Sequence, residues 1–231
     1  MLKVGSVGLN VLCMIVCGAV LYSATPVSAA TNKQCLSTKQ NPQVVFKANT
    51  AKTTINRSKS SAQITKFAKK ISAYTRSKGK NLLGLAYTEM RSGMGVEIRA
   101  RTFGSRACIS LKTVKFSFER AHSEIFVSRK YKPGTCAYKA ILAHEREHMA
   151  INAKVQAKYE ALLKKKVAER AKLVKPYFAS NPRNEPKRLI RRLNSEIKPL
   201  MAQFNTERKK RNEKIDTSKS YAKVQRKCSR W

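Results

Sequence analysis

The sequence predicts an α+β fold: an N-terminal antiparallel sheet with one helix, then a long C-terminal antiparallel helical hairpin. Short runs of β-branched and aromatic residues dominate positions 31–134, whereas apolar residues at helical spacing dominate 135–231. The character changes at "KPGT", positions 132–135, and does not change back.

The first thirty residues belong to neither part. "MLKVGSVGLNVLCMIVCGAVLYSATPVSAA" opens on Lys3, runs through an apolar stretch from Val11 to Leu21 and ends in small residues, the three-part pattern of a secretory signal peptide. The apolar run is too short for a membrane span. Met14, Ile15 and Val16 before Cys17 do not suit a lipoprotein signal. Residues 31–231 are therefore expected as a single exported domain, periplasmic or secreted.

Strands are expected first at "QVVFKAN" and "KTTIN". A helix follows in "SSAQITKFAKKISAYTRS", where Ile64, Phe67, Ala68, Ile71 and Tyr74 share a face and Ser60 or Ser61 can cap. Four more strand segments come next, "NLLGLAYTEM", "GVEIRARTF", "ACISLKTVKFSFE" and "SEIFVSRKY", set apart by glycine-containing or polar turns. Leu111, Val114, Phe116 and Phe118 give one of them a mostly alternating face, as in an antiparallel sheet covered on one side.

From Tyr138 to Lys175 one long helix is expected, with Ile141, Met149, Val155, Tyr159 and Leu163 among its apolar positions. Pro176, Pro182 and Pro186 bracket a break. A second helix runs from Lys187 to Lys214 on a stripe that includes Leu189, Leu193, Ile197 and Phe204, with a kink expected at Pro199.

The chain carries 49 Lys and Arg against 13 Asp and Glu, a formal charge of +36. Such a field attracts polyanions. For an exported chain these are anionic envelope polymers or lipid surfaces, and no specific nucleic acid is expected. Four cysteines remain after export, Cys35, Cys108, Cys136 and Cys228, an even number that argues for two disulfides.

Against this basic background, "ILAHEREHMAIN" (141–152) holds two of only three histidines. His144 and His148 are four apart, so a helix projects them from one face toward one ion. Glu145 beside them can hold and deprotonate water at that ion. This is the H-E-x-x-H arrangement of zincins, and it makes Zn2+ the expected cofactor.

A third ligand must come from elsewhere. The metzincin extension is excluded, because Ile151 and Lys154 stand where glycine and histidine are required. Glu160 and Glu169 lie roughly 18 Å or more along the helix from His148. If the two helices turn about Asn181, opposed residues have numbers summing to about 362, so position 148 faces 214 and Cys136 faces the neighbourhood of Cys228. Asp216, the only aspartate, ranks first as ligand and Glu207 second; Glu213 points away from the apolar stripe, and His122, placed in a turn between strands, ranks last. Cys136–Cys228 and Cys35–Cys108 are the expected bridges. Tyr221 is placed to hydrogen-bond a developing oxyanion.

The order of features, from "TTIN" through "LAYTEM" and "CISLKTVKFSF" to "ILAHEREHMAIN" and "NEKIDTSKSY", resembles a bacterial family of secreted zinc-dependent proteases. That family's late tyrosine-aspartate-threonine segment includes a histidine and a glycine; here Asp216 and Thr217 are present without either. The resemblance implies a zincin-like metallopeptidase. The competing expectation is a non-catalytic, highly basic envelope protein that binds anionic polymers or lipids.

Overall fold

The computed structural model describes residues 33–37, 40–71 and 81–231; the expected signal segment, residues 1–30, lies outside them, as does Tyr74. The spine of the sheet is one 22-residue strand, β4 (Arg106–Val127). Along one edge runs β3 (Gly84–Phe103), antiparallel to it over its whole length and joined by a turn at Gly104, whose φ of 59° suits glycine. The other edge is left to three shorter pieces. β5 (Tyr177–Ala179) pairs antiparallel with residues 107–109, while β1 (Gln43–Thr50) and β2 (Thr54–Asn56) both pair parallel. β1 and β2 keep one register, from Gln43 on Thr113 to Asn56 on Phe126.

The expected α+β fold, an antiparallel sheet followed by a helical hairpin, is therefore corrected to an α/β mix built on a mixed sheet. Strand composition reads the same in either direction. Because helix α1 (Ser61–Lys70) and β3 lie between β2 and β4 in the chain, the connection can bring β1 and β2 alongside β4 in parallel. The segment joining the long helices α2 (Cys136–Lys172) and α3 (Glu185–Glu213) also returns to the sheet as β5. The two helices thus form a layer on the sheet.

Two β-bulges interrupt the alternation of β4, and the one at Ala121 explains why that strand reads as two segments; β3 reads as two because of Gly93, through which the strand continues. In the β3–β4 register Glu89 meets His122 but Met90 meets Arg120, so Ala121 is an extra residue; Lys112 is extra in the same way between Thr113 and Leu111. Each bulge shifts the alternation by one and restores the same face to the core. Leu111, then Val114, Phe116 and Phe118, then Ile125 and Val127 all pack beneath the long helices. The last pair meets Ile141, Leu142 and Met149 of α2. On the opposite face α1 covers Leu85 and Phe126 with Ile64 and Ala68.

Ser60 caps α1 in a full capping box with Gln63. α3 continues through Pro199, which lies on its exposed side, where the carbonyl freed by proline meets water. Contacts between α2 and α3 run from Arg170–Glu196 (3.3 Å) through Tyr159–Glu207 (3.0 Å) to His148–Asn212 (2.7 Å), so the helices run in opposite directions. A short helix, α4 (Ser218–Gln225), follows. Both expected disulfides are present, Cys35–Cys108 and Cys136–Cys228, with Cα separations of 5.6 and 5.8 Å. Among the described residues no helix is long and apolar enough to cross a membrane.

Candidate metal centre

α2 starts where Thr135, after Gly134 with φ of 86°, caps the helix by accepting from the Tyr138 N–H. Two turns in, His144, Glu145 and His148 are all buried (6%, 6% and 8% exposed). The two imidazoles lie 4.9 Å apart between centroids and nearly perpendicular.

The acid arrives from the end of the neighbouring long helix. α3 stops at Glu213, and Thr217 begins α4 with its own capping box to Ser220, leaving Asp216 in the break between them. Asp216 Oδ1 lies 3.3 Å from His144 Nε2, 3.1 Å from His148 Nε2 and accepts from the Tyr221 hydroxyl at 2.8 Å. Its side chain is only 7% exposed. The Cys136–Cys228 bridge fastens the chain just beyond α4 to the start of α2.

An amide network behind His148 decides which ring nitrogen faces Asp216. Asn212 Nδ2 donates to the Arg208 carbonyl (2.7 Å) and to Asn152 Oδ1 (3.0 Å), and Asn152 Nδ2 donates to Thr88 Oγ1 (3.4 Å). A carbonyl only accepts, so the Asn212 nitrogen is fixed and its oxygen must face His148 Nδ1 at 2.7 Å. That ring nitrogen therefore donates to Asn212, and Nε2 points at Asp216 and the shared space.

The charges here are strongly coupled. Burial alone would lower the His148 pKa, but hydrogen bonding to Asp216 and the nearby Glu145 carboxylate push it up to about 9. Burial pushes Glu145 up, against the pull of His148 and His144. Asp216 is also raised by burial, yet the two histidines and Tyr221 hold it well below the usual carboxylate range.

Glu145 sits against the start of β3. A Cβ on Gly84 would come 2.7 Å from Glu145 Oε1 and 2.7 Å from Ile141 Cγ2, so only glycine lets the strand approach this closely. Next along the strand, the Ala86 N–H hydrogen-bonds Glu145 and favours its anionic form.

The donor set fits a tetrahedral divalent metal. Bonds of about 2.0–2.1 Å set tetrahedral ligands about 3.3 Å apart, and two nitrogens and a carboxylate oxygen are ordinary zinc donors. The nitrogen-to-oxygen distances, 3.3 and 3.1 Å, are close to that spacing, and the three candidate donor atoms lie within 4.8 Å of one another.

Other sequence candidates lie elsewhere. Glu207 accepts hydrogen bonds from Lys158 (2.6 Å), Tyr159 and Arg211 and is held down at about 2 by them, Lys158 foremost. His122 lies inside β4 rather than in a turn, 3.1 Å from Glu124 and against the Tyr87 ring. Glu213 is exposed, and Glu160 accepts from Gln156. Tyr221 is turned onto Asp216 and lies 5.4 Å from the His144 ring. Sequence reasoning missed Gly84, Asn152 and Asn212. The one available signal was Asn212 itself, which the helix register sets close to His148. Comparison with protein families, curated proteins and solved structures returns no match.

Proposed function

We propose that the protein is an exported zinc-dependent peptidase, with His144, His148 and Asp216 as metal ligands and Glu145 as general base. The observation that carries this reading is the convergence of Asp216 Oδ1 on the two Nε2 atoms from 72 and 68 residues away, beside a buried glutamate. A helix that merely exposed two histidines would not gather these groups out of water. Zinc bound there would polarise a carbonyl and lower the pKa of water toward about 7.

The chain's own residues supply the rest. Glu145 is shielded from solvent and its proton affinity is raised, which moves it toward the working range of a base at neutral pH. It would take a proton from the attacking water and deliver it to the leaving amine. Asn212 holds the His148 ring in one orientation, and Tyr221 does the same for the Asp216 carboxylate. β3 pairs with β4 alone among the described strands, so its outer edge offers backbone groups to an extended peptide next to Glu145. The expected signal segment and the two disulfides favour an oxidising compartment.

The test is metal content and peptide digestion by the purified protein, wild type against Glu145→Gln. One zinc per chain in both, with turnover reduced roughly 10²- to 10⁴-fold in the variant, is expected. Absence of zinc, with salt-sensitive binding to anionic polymers, would overturn it in favour of a basic envelope-binding protein.

A further inference from the structure

Thirteen carboxylates face 49 lysine and arginine side chains, so most of the cations depend on water. Arg208 has little water to depend on. It is half-buried on α3, one turn before Asn212, with Nη1 donating to Thr88 Oγ1 at 3.4 Å and its guanidinium 5.4 Å from the Phe204 ring centroid. Every Asp and Glu of the chain falls within the described residues, and none comes within 4.0 Å of this guanidinium. Burial lowers its pKa, and no acidic neighbour offsets that effect.

Arg120 shows how the fold treats a cation it needs only for structure. It is 8% exposed, its Nε donates to Gln156 at 3.0 Å, and Glu160 offsets the burial. Arg208 has no such arrangement. A half-buried guanidinium without a carboxylate is a costly feature to leave in place, and it is also a ready receptor for a bidentate carboxylate.

Its position says which carboxylate. Thr88 lies two residues past Ala86, where Glu145 meets the strand, so the guanidinium stands about 7 Å farther along β3. The two positions share one side of the strand. An extended peptide on this edge would carry a group about two residues from the reacting bond past Arg208.

We propose that Arg208 anchors a carboxylate of the peptide substrate, which makes the enzyme selective for an acidic group within about two residues of the bond it cuts. This rests on the peptidase reading above. The carboxylate is either an Asp or Glu side chain or the peptide's own C-terminus, and both present the same chemistry to the guanidinium.

The test uses the zinc-loaded protein and quenched fluorescent peptides that differ only by Glu against Gln at each flanking position, or by a free against an amidated C-terminus. Wild type is expected to favour one anionic peptide by roughly 10- to 100-fold in kcat/KM, and R208Q and R208M to bring that ratio to about one. Which pair shows the preference identifies the source of the carboxylate. R208M is also expected to melt no lower than wild type, since it removes a charge that the fold does not pair. A lower melting temperature with the ratio intact would assign Arg208 to structure and overturn the proposal. Equal cleavage of charged and neutral peptides by wild type would overturn it too, while leaving the peptidase reading in place. Should no peptide be cleaved, fluorescence anisotropy with E145Q decides: tighter binding of the anionic peptide, lost in E145Q/R208M, supports the anchor, and equal binding ends it.

Discussion

From Leu163 to Ala171, α2 meets α3 across Leu189, Leu193 and Ile197, all buried hydrocarbon; from His144 to Asn152 the same helix buries histidine, carboxylate and amide groups beside Asn212 and Asp216. The first half needs only volume and shape, and its neighbours compensate poorly when either is lost. The second half needs partners. Arg57 Nε is the one buried side-chain polar atom without a partner among the described residues, so the polar half satisfies itself, His148 and Asn152 through Asn212 of the facing helix and Glu145 through the Ala86 N–H of β3. Hydrocarbon in one half holds the helices in register, and the other half can then hold groups that would not pack for their own sake.

Substitutions at the two ends should therefore separate stability from metal binding. The largest effect is expected from Asp216→Asn, which removes the charge of a proposed ligand and should weaken zinc binding more than the roughly 100-fold expected for an outer partner; chelator competition measures it. Leu193→Ala, in the hydrocarbon half, should cost about 2–5 kcal/mol in urea unfolding while leaving zinc affinity unchanged. A comparable loss of zinc in that variant would show that the two halves are not separable. Asn212→Ala frees the His148 ring and should lower zinc affinity by roughly 10- to 100-fold, with a smaller effect on melting. Smallest of all is Glu207→Gln, between the halves, which should shift the melting temperature by at most about 2 °C at neutral pH. Its sign with pH is fixed by the lowered pKa. The ion pairs contribute above the ordinary glutamate pKa of 4.5 and fade as pH falls toward about 2, so wild type and variant should converge in acid.

The same contrast explains what could be read in advance. Helical spacing exposed His144 and His148 as a pair, and the register of the helix layer set Asp216 near them, because both follow from the fixed rise and turn of a helix. Both cysteine pairs followed too, one from that register and the other by remainder. Strand direction had no such rule. Val44, Phe46 and Ile55 alternate alike whether β4 lies parallel or antiparallel, and Ala121 in β4 and Gly93 in β3 made continuous strands look like separate ones ending in turns. His122 was misplaced for that reason. Asn152, Asn212 and Gly84 were invisible on other grounds: an amide gains its role from which partner sits across the helix gap, and Gly84 from how closely Glu145 approaches.

The Cys136–Cys228 bridge has a topological consequence. Every proposed metal ligand, the proposed base, both asparagines, Arg208 and Tyr221 lie between its two ends, so the candidate site is enclosed in one covalent ring. A single proteolytic cut anywhere in that ring, including the exposed connection near Asn181, would leave both histidines and the aspartate on one connected piece. After one such cut between His148 and Asp216, reduction of the bridge would part them.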